Sequence, residues 1–176
     1  RHALVDGDVK ALACISSPDA KRDDLWLIVE REIAGATVRY VEYMEDPRLA
    51  ETDVTAGFYV DCGLTYEGPL TTTITDLSHL EGEVVDILAD GSPHAAQIVD
   101  GGAITLERQA QVVHVGKGFA SRMQTMRAEG GSEAGVAQTK RKSVPEVYLR
   151  LLNTIGGAAG PSFDRLDDLP GLDLTV

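Results

Sequence analysis

Two stretches restrict most strongly what this chain can fold into: LTTTITDLSHLEGEVVDILADG at 70–91 and GGAITLERQAQVVHVG at 101–116. Both are built from short runs rich in Thr, Val and Ile, set between Asp-Gly and Gly-Gly pairs. β-Branched side chains are stiff at χ1 and fit a pleated, half-buried surface better than a helix. Glycine supplies the backbone freedom that tight reversals need. The spacing predicts strands at 72–75, 83–88, 103–106 and 112–115, with reversals at Asp90-Gly91 and Gly101-Gly102. Strands this short and this close argue for a small antiparallel barrel or sandwich.

The same punctuation extends upstream. Residues 25–44 (LWLIVEREIAGATVRYVEYM) read as a long hairpin. Leu25, Leu27 and Val29 share one face, and on the returning arm Val38, Tyr40 and Glu42 alternate with Arg39, Val41 and Tyr43. Ala34-Gly35-Ala36 provides the turn. A preceding strand is expected at 8–16, an exposed charged connection at 19–24, a loop or single helical turn at 46–55, and a short strand at 58–64. Residues 129–143 have little apolar content and read as a mobile loop with a short helix after Ser132. Residues 147–153 (VYLRLLN) then return as a strand. No solenoid-type repeat is present. The chain opens on Arg1 and stops in what reads as an entering strand, which suggests a piece of a longer polypeptide.

Composition narrows the chemistry. The 176 residues carry 16 basic and 28 acidic side chains, a formal net charge of −12 with a pI near 4.6. Such a surface repels phosphates, because DNA binding depends on Lys and Arg displacing counterions; specific nucleic-acid recognition is not expected. Cys14 and Cys62 form no CxxC pair, so the expectation is two half-buried thiols and neither a zinc ribbon nor a disulfide framework. No run approaches the length of a membrane span, and no charged start precedes an apolar signal core.

No catalytic constellation is legible. Gly130-Gly131-Ser132-Glu133-Ala134 approaches a nucleophile elbow but lacks the second glycine in its place. His2, His79, His94 and His114 show no ligand spacing; His79 is expected to bond to nearby backbone, and His114, alternating with Val113 and Val115, to face away from the core. Asp6-Gly7-Asp8 and the acids of 164–173 lack an EF-hand pattern. Gly116-Lys117-Gly118 lacks P-loop spacing and reads as a hairpin loop. Lys140-Arg141-Lys142 reads as an exposed loop, with contact to an acidic neighbouring subunit as its functional alternative. Trp26, Tyr40, Tyr43, Phe58, Tyr59 and Tyr66 fall mainly on strands and read as sheet packing. The chain therefore presents no candidate catalytic, cofactor-binding or metal-ligating residue.

Five phrases in order, DLWLIVEREIAGATVRYVEYME, GLTY, TTTITDLSHLEGEVVDILADG, GGAITLERQAQVVHVG and GVAQTKRKSVPEVYLRLLNTIGG, resemble tail nozzle proteins of short-tailed bacteriophages and prophages, also called tail tubular protein B. The resemblance covers most of 24–157. HLEGEVVDILADG also resembles a small β domain found in ubiquitin-activating enzymes, without the adenylation site or a catalytic cysteine. The resemblance implies a mainly β fold. Residues 1–50 and 143–176 would supply antiparallel strands of a larger β body, and 51–142 an inserted barrel-like domain centred on 58–126, with a mobile loop at 129–142. It implies a structural, non-catalytic tail component that packs against other tail subunits and forms a homo-oligomer in the intact protein. Its place would be the virion tail, after assembly in the host cytoplasm. The alternatives are a β-sandwich module for a host-surface glycan and, more remotely, a cell-wall hydrolase.

Overall fold

The hairpin of residues 25–44 forms, and forms its turn, for a backbone reason. Strands β2 (Asp23–Ile33) and β3 (Ala36–Tyr43) pair from Trp26↔Tyr43 to Ile33↔Ala36. The two linking residues, Ala34 at φ 49° and Gly35 at φ 76°, are both left-handed, the conformation whose twist matches a two-residue hairpin. Strand β1 (Gly7–Ser16) joins the other edge of β2, with an irregularity between Val9 and Ala11, to give an antiparallel sheet in the order β1-β2-β3. Asp23 and Asp24, expected in the exposed connection, already belong to β2. The structure is a computed structural model and describes residues 7–16, 22–45, 53–126, 146–151 and 156–169. The expected loop and helix at 129–143 lie outside them.

The chain divides into two compact units, Arg1–Met123 and Gln124–Val176. In the first, a second antiparallel sheet has the order β4-β7-β5-β6, from β4 (Asp61–Ile74), β5 (Val84–Ala89), β6 (Ser92–Ile98) and β7 (Ile104–Lys117). The described fold is thus mainly β and antiparallel, and its sheets remain open instead of closing into a barrel. One expected strand begins late, at Asp61 in place of 58, and merges with the expected strand 72–75 into a single 14-residue β4. The expected strands 103–106 and 112–115 likewise join as β7. Register shifts between Glu67 and Thr71 and between Thr71 and Thr73 explain the difference. They reset the alternation, so that Ile104 and Leu106 share a core with the odd-numbered Val113 and Val115. A strand whose apolar phase switches reads from sequence as two.

Strand β6 was not expected. Its sequence, SPHAAQI, has no apolar alternation, and its place is fixed by the Asp90-Gly91 turn, with φ values of 50° and 74°. Two β6 side chains reach β7: Gln97 exchanges hydrogen bonds with the Thr105 backbone at 2.7 and 3.2 Å, and the Glu107 N–H donates to His94 Nε2 at 3.0 Å. Gly116 and Lys117 are no hairpin loop; they end β7, buried, opposite Asp86 and Asp61 respectively. A Cβ on Gly116 would stand 2.8 Å from the Asp61 carbonyl oxygen and the Gly63 Cα, so the close approach of β4 and β7 requires glycine there.

The core of this unit gathers Ile74, Leu77, Leu80, Val85, Ile87, Val99, Ile104, Leu106, Val113 and Val115, with Ile33, Val38 and Tyr40 of the three-stranded sheet packed against it. In the second unit, β8 (Ala158–Ser162) and β9 (Arg165–Asp168) pair as a short hairpin. The expected strand at 147–153 does not form over its described part. Residues 146–151 are irregular, and Val147, Leu149 and Leu151 are exposed.

Candidate functional site

The polar residues of 70–91 that could have carried chemistry are occupied in closing turns. The Glu81 carboxylate accepts from the backbone N–H of Gly101 at 2.9 Å and of Gly102 at 2.7 Å, stapling the diglycine reversal. The Asp90 carboxylate accepts from the N–H of Gln111 at 3.1 Å and of Val112 at 2.9 Å. His79 donates through Nε2 to the Cys62 carbonyl at 3.2 Å and meets Tyr40 edge-on, while Tyr40 donates to the His79 carbonyl at 3.2 Å. His94 donates through Nδ1 to the Ala95 carbonyl at 3.0 Å.

His114 departs from expectation. It does point away from Val113 and Val115, but it is only 5% exposed, because the short 3₁₀ turn Val54–Ala56 and Phe58 cover it. Asp53 caps that turn by accepting from the Thr55 N–H and hydroxyl at 2.9 and 2.7 Å. Both ring nitrogens of His114 are engaged: Nε2 donates to the Thr55 carbonyl at 2.7 Å and Nδ1 accepts from the Thr65 hydroxyl at 2.8 Å. The carbonyl can only accept, which fixes the tautomer of the neutral ring.

Beside it lies an open cleft of about 310 Å³, lined by Tyr43, Glu45, Asp53, Phe58, Thr65, Glu67 and His114 among others. It combines two aromatic rings with three carboxylates. Glu45 accepts from the Tyr43 hydroxyl at 2.9 Å, and that contact raises the Tyr43 pKa. A proton relay from histidine to carboxylate is not built here, since the partners of His114 are a hydroxyl and a carbonyl.

The most developed polar constellation is one the sequence reading passed over. Arg31 sits at an inward position of β2, between Val29 and Ile33, and is 1% exposed. Its Nε and one terminal nitrogen donate to the two Glu42 carboxylate oxygens at 2.7 and 2.8 Å, and the latter nitrogen also donates to Asp61 Oδ1 at 2.9 Å. Burial alone would lower the guanidinium pKa, but the Glu42 hydrogen bonds and the Asp61 charge outweigh it and hold the group charged. Glu42 stands on β3 and Asp61 on β4, so the cation ties the three-stranded sheet to the four-stranded one. The signal was present in the sequence: a cation in the apolar phase of Leu27, Val29 and Ile33.

Cys62 is buried beside this cluster at φ 51°, and burial, with the Glu42 charge, pushes its thiol up to about 12; Cys14 is exposed. The expectation of two half-buried thiols therefore splits into one buried and one open. Among the described residues no group of three or more His, Cys, Asp or Glu side chains is arranged to hold a metal ion, and no helix is long and apolar enough to cross a membrane. His2, Asp6, the 130–134 stretch and Lys140-Arg141-Lys142 lie outside the described residues.

The aromatic residues divide. Tyr40 and Tyr66 pack against the core, whereas Tyr59 is 60% exposed. On the face of the three-stranded sheet opposite Leu27 and Val29, Trp26 meets Tyr43 at 5.3 Å, next to the cross-strand pair Ile28 and Val41, which are 41% and 70% exposed. No protein-family model matches the chain, and comparison with curated proteins finds no match.

Proposed function

We propose that this chain is a structural component of a bacteriophage or prophage tail that works by packing against other tail subunits and performs no catalytic step. The observation that carries the reading is the apolar outer face of the β1-β2-β3 sheet. Ile28, Val41 and Tyr43 stand exposed there beside Trp26, and contiguous apolar surface of this kind marks contact with another protein. The resemblance of the 24–157 phrases to tail nozzle proteins supplies the assembly. A net charge of −12 suits a particle through which DNA slides without being held. In this role the intact protein is a homo-oligomer, made in the host cytoplasm and carried in the virion tail.

Mass spectrometry and immunogold labelling of purified particles test this directly: the chain is expected in the tail fraction, encoded among portal, capsid and tail genes. Its absence from particles, with no such genes flanking it, overturns the reading. A second reading is favoured by the cleft, whose Tyr43 and Phe58 rings stand beside Glu45, Asp53 and Thr65, a combination suited to stacking and hydrogen-bonding a sugar. Binding to host-surface polysaccharide that is lost in Tyr43→Ala would support a glycan module, and no binding by the wild-type chain would remove it.

A further inference from the structure

Strand β1 is the outermost strand of its sheet, paired on one side to β2 and on the other to no described strand. Beyond Lys10 it carries ALACIS, residues 11–16, with no charge, proline or glycine. Leu12 is 67% and Ile15 52% exposed, and Cys14 is exposed as well. Edge strands of natural proteins are normally blunted by charge, proline or a cover, because their unpaired N–H and C=O groups template another strand. Here the one basic residue, Lys10, sits at the end of the run and is already held by Glu30 at 2.9 Å.

We propose that β1 is a self-pairing edge: two copies of this chain join their β1 strands antiparallel about a two-fold axis, making one six-stranded sheet. The occupant follows from charge. Two chains of net charge −12 repel over most of their surfaces, and a neutral strip is where they meet without opposed carboxylates. The register follows from the pleat. Antiparallel partners share a face, so residues of like parity oppose one another and the axis falls on a residue. Placed on Ala13, it sets Leu12 opposite Cys14 of the second copy and Ala11 opposite Ile15, and overlaps Lys10 to Ser16. It also brings the Lys10 end of each strand to the corner where Ser16 donates to Asp23 at 3.0 Å, an ammonium toward a carboxylate. Such an isologous contact closes at two copies, so it differs from the head-to-tail contacts of a ring and stands apart from the tail reading.

Sedimentation velocity over a concentration series, with oxidative cross-linking of the full chain, tests the pairing. The wild type is expected to shift from monomer to dimer and no further. Leu12→Cys couples to Cys14 of the other copy, and Ala13→Cys in a Cys14→Ser background couples to itself. Opposed Cα atoms lie about 4.5–5.5 Å apart, within disulfide reach. Because these two sites alternate along the strand, one of them falls on the closer, non-hydrogen-bonded pair. Ile15→Cys in the same background stays uncoupled, being roughly 13 Å along the strand from its counterpart. Ala13→Glu places two carboxylates face to face at an exposed position and abolishes the dimer without unfolding the chain. A wild type that stays monomeric, an Ile15→Cys that couples as readily as Ala13→Cys, or an Ala13→Glu that still dimerises overturns the proposal.

Discussion

Replacing Arg31 by Met keeps most of its volume and removes only the charge and its fork of donors. Three charge-assisted hydrogen bonds of 2.7, 2.8 and 2.9 Å disappear. The Glu42 and Asp61 side chains, 16% and 13% exposed, are left partly desolvated without the guanidinium they were arranged around. Breaking a buried pair from one side costs about 3–5 kcal/mol, mostly the penalty of the stranded charge. With a urea dependence of about 1.5 kcal/mol/M, a loss of about 4 kcal/mol lowers the unfolding midpoint by roughly 2.5 M. The companion that isolates the cause is Arg31→Met with Glu42→Gln and Asp61→Asn, which removes the stranded charges while leaving an Oδ1 at position 61 to accept from the Cys62 N–H. Since buried ion pairs replaced by neutral groups are often no less stable, the triple variant should return to within about 1 kcal/mol of wild type. Chemical denaturation followed by Trp26 fluorescence measures both. A single variant costing under about 1 kcal/mol, or a triple variant no better than the single, refutes the clamp.

Three further outcomes follow from the backbone and the thiols. Cys14 should react with a thiol reagent in the folded chain and Cys62 only on unfolding, giving one equivalent in buffer and two in denaturant. Because the Cys62 thiol is raised from its usual 9.0 to about 12, the folded chain keeps a proton that the unfolded chain releases first. The stabilisation is whole below pH 9 and drains away as pH climbs toward 12, so urea midpoints should fall with pH across that window, with a shallower fall in Cys62→Ala. Equal slopes in the two proteins would show the thiol to be uninvolved. Ala34 holds a left-handed φ of 49° that costs a side chain about 1–2 kcal/mol, and Asn tolerates it; Ala34→Asn should raise the urea midpoint, and a lowered one would contradict the turn geometry.

What could be read from the sequence depended on whether a residue's neighbours in space were its neighbours in the chain. The 25–44 hairpin and the Asp90-Gly91 reversal were legible because pleat and turn are local: a two-residue period and a left-handed pair of turn residues suffice. The long strands β4 and β7 were legible only in halves. Register shifts break the ladder between them, and in β7 the inward parity changes between Ala110 and Val113; nothing in the composition of 67–71 or 105–113 announces it. Strand β6 was hidden because His94 and Gln97 hold it to β7 with polar side chains, where an apolar stripe is the usual signature. Residues 147–151 erred the other way, an apolar alternation that is irregular and exposed over its described part.

The same distinction governs the site. Chain spacing says nothing of what Glu81, Asp90 and His79 hold, because their partners, Gly102, Val112 and Cys62, lie 17–22 residues away and are backbone groups. A carboxylate or imidazole whose hydrogen bonds end on backbone groups that close a turn or join strands is held for shape. Arg31 shows the converse. Its spacing, in phase with Leu27, Val29 and Ile33, marked it as inward, and a fully buried cation requires anions from elsewhere in the fold. Glu42, in phase with Val38 and Tyr40 on the opposing arm, was the one such anion the hairpin register itself could have named. Asp61 needed the second sheet. Among the described residues the inward Arg31 joins two sheets and Glu81 and Asp90 close turns, while the neutral edge of β1 and the apolar face beside it are the surfaces on which the proposed contacts rest.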